Sequence, residues 1–318
     1  MNLSQHLVNT ARSMPNKAAV RCEGRHITFR ALDIQSNRLA NAFRDLGLKP
    51  GDPALVMMPN SIDRFIVYYA LAKAGLVEIP VDCESSGRQL GPVVEETNPK
   101  IFIGAEPYLD EIRKVFSRVR GPSLRLACDV PRESEFINLD ATYSNRPEFP
   151  LHAADDNDRV AVLYRGGMKG TLLTQGNLAR MIAVLAEMQG AVEPETVVIG
   201  VLPLHHVYGI STVLNGSVYR ALTVELYHHF NPEEIIALME RERYTMLYAV
   251  PDMLSRLMEA VHNQPLKRKS LRFCLSGKGS LPHEEARRFE VLFGTGIHEC
   301  PGIAGLPTIS DSIFSSRQ

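Results

Sequence analysis

The chain has 318 residues, 45% of them hydrophobic and 22% charged, with a net charge of −1. That length suffices for about two packed domains, and so even a charge balance argues against a nucleic-acid partner gripped through its phosphates. No apolar run reaches the roughly 18 residues of a membrane span, and five scattered cysteines without a Cys-x-x-Cys pair suit a reducing, cytoplasmic setting.

A first helix is expected from Leu3, Leu7 and Ala11, stopped by Pro15. It lacks the continuous apolar core of a secretory signal. A second amphipathic pattern runs through Leu39, Ala42, Phe43 and Leu46. Apolar runs predict strands at 54–58, 77–81, 100–104, 160–164, 196–202, 223–227, 246–250 and 271–276. Gly47 and Gly51 suit the turn into the first of these, and Gly75 suits the end of a helix over 65–74. The polar, proline-bearing stretch 139–158 is the best internal boundary, separating an expected first subdomain (1–158) from a second (159–318).

Past that boundary, residues 162–185 read as an apolar strand, a loop with Arg165, Gly166, Gly167, Lys169 and Gly170, and a helix with Leu178, Met181, Ile182 and Leu185 on one face. Such a loop at a helix start either holds an anion on its N–H groups or only solves a tight strand-to-helix turn. The paired histidines His205–His206 and His228–His229 have no zinc-ligand spacing. The basic stretch 265–272 reads as a solvated turn. Strand–helix alternation along most of the chain implies parallel sheets covered by helices.

The order of short motifs carries more. Phe29-Arg30-x-Leu32 is followed by Ser36-Asn37-Arg38-Leu39-Ala40, Leu46-Gly47-x-x-x-Gly51-Asp52, Pro59-Asn60-Ser61 and Lys73-Ala74-Gly75. "PLHHVYG" (203–209), "YAVPDML" (248–254), "LRFCLSGKGSLP" (271–282) and "FGTGIHEC" (293–300) continue the series. In this order the chain resembles the N-terminal region of the AMP-forming acyl-CoA synthetases, of the adenylate-forming superfamily, over essentially its whole length. The resemblance implies an α/β fold of two parallel-sheet subdomains, without the family's third subdomain and mobile C-terminal domain. It also implies ATP and Mg²⁺ as cofactors: the family attacks the α-phosphate with a carboxylate, releases pyrophosphate and passes the acyl group to a thiol. On this pattern His206 lies between carboxylate and acyl channel, Gly209 beside that channel, and Gly277, Lys278 and Gly279 in the adenine-side loop.

Against that pattern the nucleotide side departs. The family's phosphate loop resembles Tyr-Thr-Ser-Gly-Thr-Thr-Gly-x-Pro-Lys-Gly, with nine residues between its Tyr and last Gly. Here five separate Tyr164 from Gly170; the Ser/Thr-rich turn is gone and Arg165 enters, while Lys169, Gly170, Thr174 and Asn177 still match. The family's aromatic-Gly-x-Thr-Glu falls on Pro301, Gly302, Ile303, Ala304 and Gly305, so the π-face, hydroxyl and carboxylate are replaced by Pro, Ala and Gly. The adenine-side Gly-Gly-Ala-Pro reads Gly277-Lys278-Gly279-Ser280.

Phosphoryl chemistry depends on preorganised charge and donors. Removing one such group typically costs about 10²–10³ in rate. These departures therefore argue against productive ATP and Mg²⁺ binding, and the first expectation is non-catalytic binding of an acyl group, an acyl thioester or a partner protein. The alternative is a ligase subunit completed by a separate C-terminal-domain protein, and a third reading is a decayed product. A surface left uncovered by absent domains would also favour a homodimer or bound partner.

Overall fold

The computed structural model describes residues 3–164, 170–262, 264–277, 279 and 281–299. α1 (Leu3–Ser13) precedes a hairpin of β1 (Ala18–Cys22) and β2 (Arg25–Thr28), and α2 (Phe29–Asp45) follows. Next come β3 (Pro53–Met57), α3 (Ile62–Ala74), β4 (Val77–Pro80), α4 (Gly87–Thr97), β5 (Ile101–Ala105), α5 (Leu109–Phe116), β6 (Leu124–Cys128) and β7 (Ile137–Asn138). A second hairpin, β8 (Arg159–Leu163) and β9 (Thr171–Thr174), leads into α6 (Gln175–Gln189). Beyond β10 (Val197–Gly200), α7 (Val207–Gly209) and α8 (Ser217–Tyr219) flank a π-helical stretch, Ile210–Gly216. The remaining elements are β11 (Thr223–Leu226), α9 (Pro232–Arg241), β12 (Thr245–Ala249), α10 (Pro251–Ala260), β13 (Leu271–Ser276), α11 (His283–Phe293) and β14 (Ile297–Glu299).

Two seven-stranded sheets result, in the orders β7-β6-β5-β3-β4-β8-β9 and β14-β13-β12-β10-β11-β1-β2. All pairings are parallel except within the hairpins β8–β9 and β1–β2. Alternation along each strand divides the apolar residues between two faces. On β3, Leu55 and Met57 face the outer helices α4 and α5, while Ala54 and Val56 face inward. On β12, Leu247 and Ala249 likewise meet α9, α10 and α11, and Met246 and Tyr248 point inward. Between the sheets lie α1, α2, α3, α6 and the 207–219 segment, whose apolar faces share one continuous core with both. Five layers are thereby formed, helices outside, a sheet on each side, and helices in the middle.

The middle layer is tied by polar groups as well. Lys73, fully buried on α3, puts its ammonium 2.6 Å from Asp33 Oδ1, 2.8 Å from Ser36 Oγ and 2.8 Å from Asn37 Oδ1, all on α2. Burial pushes the Lys73 ammonium down to about 8, against the pull of Asp33. Among the described residues no helix is long and apolar enough to cross a membrane.

The expected boundary at 158 does not separate the two sheets. β8 and β9 return to the edge of the first sheet, where Ala161 pairs with Glu78 of β4. The N-terminal hairpin instead joins the second, with Val20 beside Val224 of β11. The 139–158 stretch is a mostly exposed connection that runs from β7, at one edge of the first sheet, to β8 beside the other edge. A polar segment marks a surface path; it does not say where the next strand docks.

Candidate functional site at the carboxyl ends of the strands

In open α/β sheets, ligands bind beyond the carboxyl ends of the parallel strands. Tyr164 follows β8, the His205–His206 loop follows β10 and Gly277 follows β13. A groove of about 950 Å³ lies at the opposite ends of β3, β4 and β8 and is lined by Asp52, Lys100, His152, Asp158 and Arg159 among others. Its mixed charge matches no single ligand, so strand direction rather than volume locates the site.

His206 is half-buried and caps the helical segment that starts at Val207. Its Nδ1 accepts from the backbone N–H of Tyr208 at 3.2 Å. In the neutral ring that acceptor role leaves the proton on Nε2. Its neighbour His205 lies 3.7 Å from Asp82 of the first sheet. Gly209 is needed for contact: a Cβ there would sit 2.3 Å from the Pro203 carbonyl oxygen. The segment Ile210–Gly216 then widens to a π-helix, and side chains satisfy its backbone. Asn215 donates to the Ile210 carbonyl at 2.8 Å, and Tyr69 of α3 donates to that of Leu214 at 2.9 Å.

Tyr208, one residue before Gly209 and 1% exposed, was not singled out from the sequence. Its hydroxyl donates to the Leu275 carbonyl at 2.7 Å, and its ring lies where a Cβ on Gly277 would be, 2.8 Å away. The structure therefore brings the His206–Gly209 motif and the loop that opens at Gly277 together through this phenol. At the far end of the loop the Leu281 N–H donates to Glu299 at 3.1 Å.

The phosphate-loop region corrects one expectation. No helix starts at Gly170. β9 intervenes, antiparallel to β8 with Leu163 opposite Thr171, and α6 begins only at Gln175. Four residues with one buried leucine carry too little periodicity to be told from a helix's first turn. Gly170 packs on its own hairpin, where a Cβ would lie 2.5 Å from Val162 Cγ1 and 3.0 Å from the Tyr164 hydroxyl. Thr174 is committed to the helix: its hydroxyl accepts from Asn177 N at 3.2 Å and donates to Asn177 Oδ1 at 2.9 Å, a capping box. Arg165, Gly166, Gly167, Lys169, Lys278, Pro301, Gly302, Ala304 and Gly305 lie outside the described residues, while Gly279 is exposed.

Burial disfavours the thiolate form of the described cysteines. Burial pushes Cys22 up to about 11 and Cys83 to about 12, in both cases with help from nearby carboxylates. The thiolate is the nucleophile, so a raised pKa lowers a thiol's reactivity at pH 7. Among the described residues no three His, Cys, Asp or Glu side chains gather as a metal site.

Comparison with known proteins gives this geometry a setting. The family model described as "AMP-binding enzyme" matches residues 7–304. The chain is 26% identical over 287 residues to a feruloyl-CoA synthase of Amycolatopsis sp., covering 89% of this chain and 55% of that protein. It is 24% identical to a long-chain-fatty-acid–CoA ligase of Bacillus subtilis, covering 98% and 61%. Apo MatB from Rhodopseudomonas palustris superposes with a TM-score of 0.81 at 24% identity, covering 94% of this chain and 59% of its own. The N-terminal domain of FACL13 from Mycobacterium tuberculosis superposes with a TM-score of 0.82 at 19% identity, covering 94% and 74%. At these identities the superpositions speak for the fold: two parallel-dominated sheets arranged as in the N-terminal domain of adenylate-forming enzymes. The chain spans little more than half the length of the relatives it matches in sequence.

Proposed function

Because the chain belongs to the AMP-binding enzyme family, we propose that it uses the family's acyl side and not its nucleotide side. It binds an acyl group or acyl thioester beside His206 and does not by itself activate a carboxylate with ATP. The β8–β9 hairpin carries this reading. With Leu163 paired to Thr171 and Gly170 packed on Tyr164, only residues 165–169 remain to surround a triphosphate. Thr174 uses its hydroxyl in the cap of α6. The residues aligned with the family's α-phosphate and Mg²⁺ contacts, Ala304 and Gly305, supply no hydroxyl and no carboxylate. ATP and Mg²⁺ do not fit this donor set, and no step is assigned to them.

Calorimetry with three probes tests the proposal: ATP·Mg, an acyl-adenylate mimic and an acyl thioester. Heat and thermal stabilisation are expected from the thioester without ATP·Mg. Equal stabilisation by ATP·Mg alone overturns the reading. The continuity of the family match from residue 7 to 304 favours testing a second one, a ligase half completed by a separate protein carrying the family's C-terminal domain. Pyrophosphate exchange on adding such a protein would establish it in place of the first.

The same proposal includes a second copy or a partner protein at the surface, where Val291, Val184 and Tyr219, 65%, 50% and 42% exposed, are apolar side chains it would cover. Size-exclusion at micromolar concentration is expected to give a dimer or complex, and a clean monomer contradicts this.

A further inference from the structure

The Pro59-Asn60-Ser61 motif, a scaffold landmark in the sequence, opens a buried polar strut from the first sheet's α3 to the second sheet's His206 loop. Asn60, 7% exposed, donates to the carbonyls of Leu202 and Tyr227, both at 3.1 Å, and accepts from the Leu204 N–H at 3.0 Å. One turn into α3, Arg64 donates to the Leu204 carbonyl at 2.9 Å and lies 2.6 Å from Glu78 Oε1. Both backbone groups of Leu204 are thus held by side chains some 140 residues away in sequence.

We propose that Asn60 and Arg64, with Glu78 holding Arg64 in place, are positioning residues for His206. They fix the loop that sets the ring's place and its Nε2–H tautomer toward an acyl carboxylate or thioester carbonyl. The ligand named here rests on the function proposed above; the loop geometry does not.

Leu204 lies two residues before His206, whose own N–H donates to the Pro203 carbonyl at 3.2 Å. The same carbonyl bears directly on Gly209, so a shift at 203–204 moves both ends of the turn that His206 caps. Losing the 3.2 Å bond from the Tyr208 N–H to Nδ1 would release the tautomer. The choice of residues also speaks for positioning. Arg64 and Glu78 are each 1% exposed, and Arg64 Nη1 and Glu78 Oε2 have no hydrogen-bond partner among the described residues. Burial raises the Glu78 carboxyl while Arg64 opposes the rise. An apolar pair of similar volume often fills such a place without loss of stability. It cannot hold a carbonyl.

The test compares the full-length chain with Asn60→Ala and with the double swap Arg64→Met/Glu78→Leu. Three quantities are read: the melting temperature, the ¹⁵N shifts of the His206 ring, and affinity for two probes, palmitoyl-CoA and feruloyl-CoA. The double swap is expected to melt within about 5 °C of wild type. Both variants should populate the Nδ1–H tautomer and bind the responding probe about tenfold more weakly, or about 1.4 kcal/mol. Variants that keep the wild-type His206 spectrum overturn the proposal. A wild type that binds neither probe overturns the proposed function and leaves the spectra to decide this one. If the double swap fails to fold, Arg64→Lys, which preserves the charge without the two-armed guanidinium, supplies the same comparison.

Discussion

The two sheets are built to one plan, each closed at one edge by an antiparallel hairpin, and the hairpins differ in a telling way. β1 and β2 are joined by Glu23 and Gly24 alone, both with positive φ (50° and 75°), and Cys22 pairs directly with Arg25. That is the connection a right-twisted two-stranded ribbon prefers, with no residue beyond what the turn demands. β8 and β9 pair as far as Leu163 and Thr171, so seven residues, 164–170, make the connection. Ordinary hairpin loops take two to five. The second connection is thus longer than an ordinary hairpin loop, with five residues between Tyr164 and Gly170. The first connection is accounted for by turn geometry alone, and the second is longer than that geometry requires.

The largest effect should come from the layer both sheets share. Removing the ammonium in Lys73→Met leaves Asp33, Ser36 and Asn37 without their common donor and should cost about 3–5 kcal/mol in chemical denaturation. If the sheets stand on one core, the loss appears in a single cooperative transition. Two separated transitions would show that they fold as independent units. Lys73 also gives a pH signature. Its folded value of about 8 lies below the ordinary 10.5, so between those values the unfolded chain binds more protons and stability rises with pH. That rise should vanish in Lys73→Met; its persistence would assign it to other groups.

The hairpins themselves give the next two effects. Gly170→Ala drives a methyl against Val162 and Tyr164 and should cost about 1–3 kcal/mol. Gly24→Ala meets nothing within 4 Å and suffers only from its φ of 75°, so about 1 kcal/mol is expected. A reversed order in thermal melts would mean that the longer connection yields more easily than its packing suggests. The smallest effect belongs to length. Four residues inserted after Gly167 restore the family's spacing and should change stability by less than about 1 kcal/mol, because loop closure depends weakly on length. The same insertion after Glu23 breaks a tight turn and should cost more. ATP·Mg affinity should stay absent in the first variant, since Ala304 and Gly305 remain. Calorimetry showing restored nucleotide binding would place the whole defect in the loop.

Eight predicted strands are present with ends shifted by a residue or two, because runs such as the one around Leu55 and Val56 are apolar on both faces, as buried parallel strands must be. α2, α3 and α6 follow from apolar spacing of three and four residues, and Gly75 ends α3 in a left-handed conformation as expected. The strands that escaped notice lie at sheet edges, as β2, β7, β9 and β14 do, or next to an edge, as β1 does. There, few residues face a core and the pattern thins; β6, which lies one strand in from an edge, has the same fault, with only Leu126 and Ala127 fully buried. At the candidate site His206 and Gly209 were legible as a motif. Tyr208 and Asn60 stand within motifs but without a legible role, and Arg64 stands outside them, since nothing local distinguishes a buried polar side chain with a job from one that merely packs.

The sequence alone determined the kind of each main element, the family, and the five-residue spacing from Tyr164 to Gly170, because periodicity and spacing are properties of neighbours along the chain. Only the tertiary structure decided that the first hairpin lies beside β11 and the second beside β4, that Tyr208 seats on Gly277, and that α3 reaches across to Leu204. Periodicity states which face of an element must leave water. What that face then meets is settled by packing and hydrogen bonds between residues more than a hundred positions apart, and no local pattern encodes them.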